Sequence, residues 1–396
     1  MNEWRFQKLS DAPLDIIDGD RGKNYPSQNE FSSNGYCIFL NTKNVRLDRF
    51  DFTECQYISK ERDKLLRKGR LQRNDLVLTT RGTVGNVAFF SDSIPFENIR
   101  INSGMIVIRP KTDQLYPIFN FYLFRYLQND FHSFISGSAQ PQLPIKDLNE
   151  IDINLPPLPE QKAIAGVLSS LDDKIDLLHR QNKTLEVMAE TLFRQWFVEE
   201  VSDDWEEVEL ETVIETTSGG TPSRKNMEFY NNGTIFWVKS KELNGTYIFD
   251  TEEMITSNAL NFSSAKLLPE NSILIAMYGA TVGEYAIISK AMTSNQAICA
   301  LIPNDNYPYT YLFMLIKINK NELINMAVGS AQQNISQQLI KKIPVLNCVG
   351  KIKQYHLSVC QYFEKIKSNL IQIQTLEKLR DTLLPKLMSG EVRVAV

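Results

Sequence analysis

The chain is written twice, and a duplicated unit constrains architecture before any single motif does. Leu76–Phe90 reads LVLTTRGTVGNVAFF and Ile273–Ile288 reads ILIAMYGATVGEYAII, so Thr83-Val84-Gly85 recurs as Thr281-Val282-Gly283, 198 residues on. INSGMIVIRP (Ile101–Pro110) is matched by SNQAICALIP (Ser294–Pro303), with Asn102 over Asn295 at an offset of 193. GSAQPQLPIKDLNEIDI (Gly137–Ile153) is matched by GSAQQNISQQLIKKIPV (Gly329–Val345) at 192, and Thr184-Leu185-Glu186 by Thr375-Leu376-Glu377 at 191. Offsets that drift slowly in one direction are those of a duplicated unit with a few loop deletions.

Each copy has a mixed part followed by a long helix. Asp75–Phe90 runs apolar around Gly82 and Gly85, the pattern of two strands joined by a tight turn. Met105–Ile108 and Ile298–Ile302 predict further strands, whereas Ile118–Leu127 and Tyr311–Ile318 have helical spacing. The fold class is α+β: two duplicated domains with strand-rich cores, separated by two long helices. The expected division is 1–157, a helix over 158–200, 201–348, and a second helix over 349–396.

The helical parts carry the sharper pattern. After LPPLPEQ, which stops a strand and starts a helix, apolar residues recur at spacings of four and three. They are Ile164, Leu168, Leu171, Ile175, Leu178, Leu185, Ala189, Leu192 and Trp196, with Asn182 the polar residue on that register. Such a heptad seam needs a partner helix, and a lone polar seam residue sets register. The C-terminal run offers the partner through Val359, Phe363, Ile366, Leu370, Ile373, Leu376, Leu379, Leu383 and Leu387. Its spacing slips to three-then-three near Leu376, predicting local overwinding. About 35 helical residues span roughly 50 Å, so an antiparallel pair would form a rod. The competing reading is a long helix packed on its own domain.

Composition excludes several classes. The 396 residues contain no apolar run long enough for a membrane helix, and the N-terminus has no signal-like stretch. Five cysteines (Cys37, Cys55, Cys299, Cys348, Cys360) lie far apart without CxxC spacing, which argues against zinc and disulfides and suits a reducing cytoplasm. The three histidines are scattered, and there is neither a phosphate-binding Gly-rich loop ending in Lys-Ser/Thr nor an Asn/Asp-Pro-Pro-Tyr motif. No metal site, nucleotide site or catalytic centre is expected. The net charge of −4 runs against a nucleic-acid reader, unless basic residues are locally concentrated or a partner supplies phosphate contacts.

The helical signatures resemble a known family. LPPLPEQKAIAGVLSSLDDKID (Leu155–Asp176) and TLFRQWFVE (Thr191–Glu199) are similar to the central conserved region of Type I restriction–modification specificity subunits. LEKLRDTLLPKLMSGEVRV (Leu376–Val394) resembles the distal conserved region, and SGGTPS (Ser218–Ser223) the opening of a target-recognition domain. Two departures stand out: the first domain opens with DGDRGKNYP where the second has SGGTPS, and the second copy reads NCVGKIKQ where the first has LPPLPEQK. The second departure leaves the start of the distal helix open.

The resemblance implies a non-catalytic cytoplasmic subunit. Each domain reads one half of a split double-stranded DNA site, and the coiled coil sets the gap. Its partners are two modification (methyltransferase) subunits and the restriction (motor-nuclease) subunits. The chain itself needs no cofactor, because S-adenosylmethionine, ATP and Mg bind the partners.

Base reading needs Arg, Lys, Asn or Gln in fixed geometry, and loops after strands are the places to look. The first domain offers Arg21, Lys23, Lys43, Asn44, Arg81, Asn86, Arg100, Asn102, Gln140 and Gln142. The second offers Thr221, Ser223, Arg224, Lys239, Lys241, Tyr278, Asn295, Gln332 and Gln333. For any one of these the plain reading is a solvated surface residue. The densest basic run, Lys60–Arg73, is either a solvated helix face turning at Gly69 or a phosphate contact. Three alternatives remain: a free-standing methyltransferase or nuclease, a coiled-coil scaffold that does not read DNA, and a specificity subunit of a related fused system.

Overall fold

A computed structural model describes residues 4–135, 141–328 and 334–395. The chain divides into two compact units, 1–175 with 375–396, and 176–374. The cuts fall inside the two long helices, not at their ends, so each unit owns one mixed domain and one stretch of helix pair.

In the first unit, Leu14–Asp18, Met105–Pro110, Leu76–Thr79 and Val87–Phe89 lie side by side as an antiparallel sheet. Val77 stands opposite both Val107 and Ala88, so small and branched side chains fill one face. A second sheet sets Cys37–Leu40 between Tyr57–Ile58 and Ile99–Ile101, the last pairing parallel. Helix Pro117–Phe134 covers the larger sheet with Phe119, Leu123, Phe124 and Phe131, all buried.

The second unit repeats the plan. Glu215–Ser218, Ile298–Ile302, Ile273–Ala276 and Tyr285–Ile288 are neighbours in that order, and Tyr247–Ile248 adds a fifth strand parallel to the last. Leu274 stands opposite Ala300 and Ala286, as Val77 does opposite Val107 and Ala88. Ile235–Val238 lies between Met254–Ile255 and, in parallel, Thr293–Ser294. Helix Tyr309–Val328 covers the sheet.

The turns that launch the hairpins are also copied. Asn74 and Asn271 both take positive φ, at 74° and 66°, a conformation Asn tolerates better than most residues. Asn74 N donates to Phe90 O and Asn271 N to Ile288 O, each at 2.9 Å.

The central helix runs Leu158–Arg194 and ends in a widened turn over Gln195–Glu199, and the distal helix runs Val349–Ser389. They are antiparallel. In the second unit Tyr355 Oη donates to Ala189 O and Asn369 meets Asn182; in the first, Arg380 meets Asp172. Ile164, Leu168, Ile175 and Leu178 are buried, whereas Leu171, Asn182, Leu185 and Leu192 are half-buried. Phe363, Ile366 and Ile373 are buried, with Leu370 and Leu383 half-buried.

One expectation needs correction. Leu379, placed in the seam by spacing, is exposed, while Leu384 and Met388 are buried outside that register. At this level Arg380 occupies the inner face and pairs with Asp172 at 2.7 Å, an ion pair where the apolar repeat lapses. Within each unit the helix stretches also pack into the core of the mixed domain. Ile164, Ala165 and Leu168 share one core with Phe119 and Leu123, and Ala189 and Phe193 share another with Tyr311 and Phe313.

The start of each long helix has a specific lock. Gln161 is buried: its side chain accepts from Tyr116 N and donates to the carbonyls of Gln114 and Pro156. Glu160 accepts from Trp4 Nε1 at 3.0 Å and from the Arg393 guanidinium. The distal helix starts at Val349 although NCVGKIKQ lacks that punctuation, with Ile352 N donating to Cys348 O.

Candidate nucleic-acid interface

Four segments of the first domain meet at one rim. They are the loop Asp18–Asn24, the short turn Thr42–Asn44, the hairpin tip Thr80–Asn86 and Asn102–Gly104. Thr80 N and Arg81 N both donate to Gly104 O, and Thr83 Oγ1 donates to Thr42 O. Arg21 donates to Ser103 O, and Arg81 forms a β-bridge with Gln142. Gly19 and Gly104 allow this closeness. A Cβ on Gly19 would lie 2.3 Å from Asn102 O, and one on Gly104 would lie 3.0 Å from the Thr42 side chain. The rim therefore gathers Arg21, Lys23, Lys43, Arg81, Asn102 and Gln142.

The second domain builds the same frame. Asn102 N donates to Leu40 O and Asn295 N to Val238 O; Leu143 N donates to Thr80 O and Ile335 N to Met277 O. Asn102 Oδ1 accepts from Gly104 N, as Asn295 Oδ1 does from Ala297 N. These asparagines are brought to the rim, but their carbonyl oxygens serve the turn. Gly219 and Gly220 pack against Ser294, Asn295 and Ser264 as Gly19 packs against Asn102.

The residues displayed on that frame differ. Thr221 and Tyr278 both hydrogen-bond Gln296, Ser223 is exposed, and Arg224 lies 4.3 Å from the Tyr230 ring centroid. Lys239 precedes and Lys241 lies within the turn Ser240–Glu242, the counterpart of Thr42–Asn44. Lys239 reaches Glu252 and Glu253, Lys241 reaches Glu252, and Arg224 reaches Glu253. The Arg224 and Lys239 partners hold the Glu253 carboxyl down at about 2.

Three expected readers do other work. Arg100 is 5% exposed and ion-paired to Asp63, and its remaining donors go to the carbonyls of Lys68, Asp63 and Leu66. A guanidinium so enclosed holds the fold together and presents nothing to a groove. Asn44 is buried, donating to the carbonyls of Asp51 and Glu54. Asn86 is half-buried and donates to Val45 O. Gln140, Gln332 and Gln333, with the repeated GSAQ, lie outside the described residues.

The basic run Lys60–Arg73 divides. Arg62 pairs with Glu30, Arg70 with Asp63, and Arg73 donates to Ser91 O and Phe96 O. Arg67 and Lys68 are exposed and line a cleft with Arg21, Lys23 and Asn24, so they join the rim. Nothing in the linear pattern separates them from their paired neighbours. Glu252 and Glu253, as acidic residues, do not match the Arg, Lys, Asn and Gln types that nominate base readers from sequence. Among the described residues, Lys23, Lys43 and Arg81 have no ion-pair partner; no grouping could hold a metal, and no helix is long and apolar enough to cross a membrane.

Comparison with known proteins agrees with the duplication. The model for the Type I restriction modification DNA specificity domain matches residues 1–187 and again 202–379. The HindI specificity subunit of Haemophilus influenzae is 23% identical over 99% of this chain and 100% of its own. The MjaIX specificity subunit of Methanocaldococcus jannaschii is 27% identical over 81% of this chain and 78% of its own. The crystal structure of a Type I S subunit from M. genitalium shares the fold, with a TM-score of 0.62 at 15% identity, covering 97% and 96% of the two chains. With two family domains, each built on the same rim, the chain belongs to the Type I restriction–modification DNA specificity family.

Proposed function

We propose that this chain is the sequence-reading subunit of a Type I restriction–modification complex. Each domain reads one half of a bipartite double-stranded DNA site through its rim. The antiparallel helix pair sets the gap between halves and docks two modification subunits, with restriction subunits joining them. The chain performs no catalysis itself; S-adenosylmethionine, ATP and Mg belong to the partners, and the complex works in the cytoplasm. The observation that carries this reading is one backbone frame, built twice, displaying Arg21, Lys43, Arg81 and Gln142 in one copy and Thr221, Arg224, Lys241 and Tyr278 in the other. A common frame with different displayed side chains suits two readers of different half-sites, since base edges are told apart by side-chain donors and acceptors.

The test is co-expression with the modification subunit of the same organism, followed by sequencing of methylated bases. Methylation at two short sequences separated by a fixed gap is the expected result. Assembly of the complex without a bipartite methylated site would sink the proposal.

A further inference from the structure

The two rims are built alike yet charged differently, and the difference falls at matched positions. Trp237 N donates to Glu253 O as Phe39 N donates to Gln56 O. With Asn295 on Val238 matching Asn102 on Leu40, this pairing sets Lys239 against Asn41, Lys241 against Lys43 and Glu253 against Gln56. In the first domain Lys43 has no ion-pair partner among the described residues and borders an open cleft of about 490 Å³ that Asn41, Glu54, Cys55 and Gln56 also line, with neutral Cys55 and Gln56 where the second domain has Glu252 and Glu253. Arg46 there is held by Asp51.

In the second domain the corresponding place is filled by its own counter-charges. Lys239 Nζ lies 2.9 Å from Glu252 and 2.8 Å from Glu253; Lys241 Nζ lies 2.7 Å from Glu252, and Arg224 2.6 Å from Glu253. Glu242 fixes the arrangement by accepting from the backbone N–H groups of Lys239 and Glu252, at 2.6 and 2.7 Å. Arg224 is clamped further by the rings of Tyr230 and Trp237, at 4.3 and 5.2 Å. Three cations thus share two carboxylates.

We infer that Glu252 and Glu253 stand where DNA phosphates dock on the second rim, so that this rim is closed to DNA until they are displaced. The inference rests on the proposed function and deepens it. Carboxylate and phosphate oxygens suit the same ammonium and guanidinium donors. A cation already paired releases no counterions from DNA, so Arg224, Lys239 and Lys241 add little to non-specific binding. Exchanging carboxylate for phosphate becomes favourable only when correct base contacts accompany it, a built-in penalty against wrong sequences. On the first rim Arg21 pairs with Asp18, but among the described residues Lys23, Lys43 and Arg81 have no ion-pair partner, so this rim engages any duplex while the second discriminates.

The test uses the full chain, alone and assembled with its modification subunits, against a pool of random-sequence duplexes across a salt series. Replacing both carboxylates by their isosteres (E252Q with E253Q) is expected to tighten random-duplex binding about tenfold or more near 0.1 M salt, and to steepen the salt slope by about two. Adding Lys241→Ala to that variant should return part of the gain, which a general change in folding would not do. Unchanged binding overturns the inference, and weaker binding overturns it by assigning the carboxylates to base contacts. Lys43→Ala separates the two levels of argument. If it weakens binding while the glutamine variant changes nothing, only this inference fails. If neither the chain nor the assembly binds duplex DNA, the function proposed above fails with it.

Discussion

Asn369 donates from Nδ2 to Oδ1 of Asn182 across 2.8 Å, in the middle of the apolar helix seam of the second unit. The two amides are the polar residues of that level, between Leu178 and Leu185 on one helix and Ile366 and Ile373 on the other. Register follows from this pairing, because sliding either helix would set an amide against hydrocarbon. The pairing is incomplete, since Asn182 Nδ2 and Asn369 Oδ1 find no partner.

A single Asn369→Leu replacement should therefore destabilise the second unit by about 1–3 kcal/mol, by stranding the Asn182 amide. The double replacement of both by Leu should recover that loss or exceed the parent, because it also removes the two unmet groups. Denaturant midpoints of the three variants check this order. A double variant less stable than the single would show that the amides stabilise the seam as well as aligning it.

Asp172 holds the corresponding place in the first unit by a different device. Its carboxylate binds Arg380 at 2.7 Å, Arg125 at 3.4 Å and the Tyr122 hydroxyl at 2.6 Å. The Arg380 and Arg125 side chains are only 12% and 9% exposed, so without this carboxylate Arg380 keeps Asp381 alone, at 2.9 Å, and Arg125 cannot turn to water. Asp172→Ala should cost about 3 kcal/mol or more, as expected when one partner of an enclosed charge group is removed. Thermal melts should show the loss in the transition of the first unit, and an unchanged melt would contradict the role given to this cluster.

How far the sequence could be read depended on the kind of signal. The duplication, hairpins and seam were legible because period and punctuation are local properties, as Val77 and Leu274 show by standing in identical registers. Leu379 was misplaced because a heptad read by spacing takes every apolar residue as inward, whereas Arg380 takes that level through an ion pair with Asp172, 208 residues away. The role of Arg100 is hidden from the sequence for a related reason. Residue type nominates an arginine for DNA, but only the fold places Asp63 beside it and three carbonyls around it. Arg67, Lys68, Glu252 and Glu253 join their rims through loops distant in sequence, which no linear pattern contains.

Arg100→Gln separates folding from reading. It should destabilise the first domain by about 3 kcal/mol, because Asp63, itself 1% exposed, would keep Arg70 alone as counter-charge and the carbonyls of Lys68, Asp63 and Leu66 would lose their donor. Any loss of DNA recognition should follow the loss of folded protein and be restored in conditions that restore the fold. Stable, folded protein with altered sequence preference would reinstate Arg100 as a reader.

Lys43 and Arg81 stand on the same rim but should fail differently. Lys43 is exposed on a turn whose backbone is closed by Asn41, with Lys43 N donating to Asn41 Oδ1, so its ammonium moves freely toward a phosphate. Arg81 sits at the hairpin tip, tied by its N–H to Gly104 O and bridged to Gln142, which aims the guanidinium from a fixed base. Lys43→Ala should weaken binding to all sequences alike and lower the salt slope by about one. Arg81→Ala should instead relax preference in one half of the site, by about 1–3 kcal/mol of discrimination, with the other half unchanged. Methylome sequencing of cells carrying each variant distinguishes the two outcomes. A broadened half-site with Lys43→Ala, or uniform weakening with Arg81→Ala, would reverse the roles assigned here.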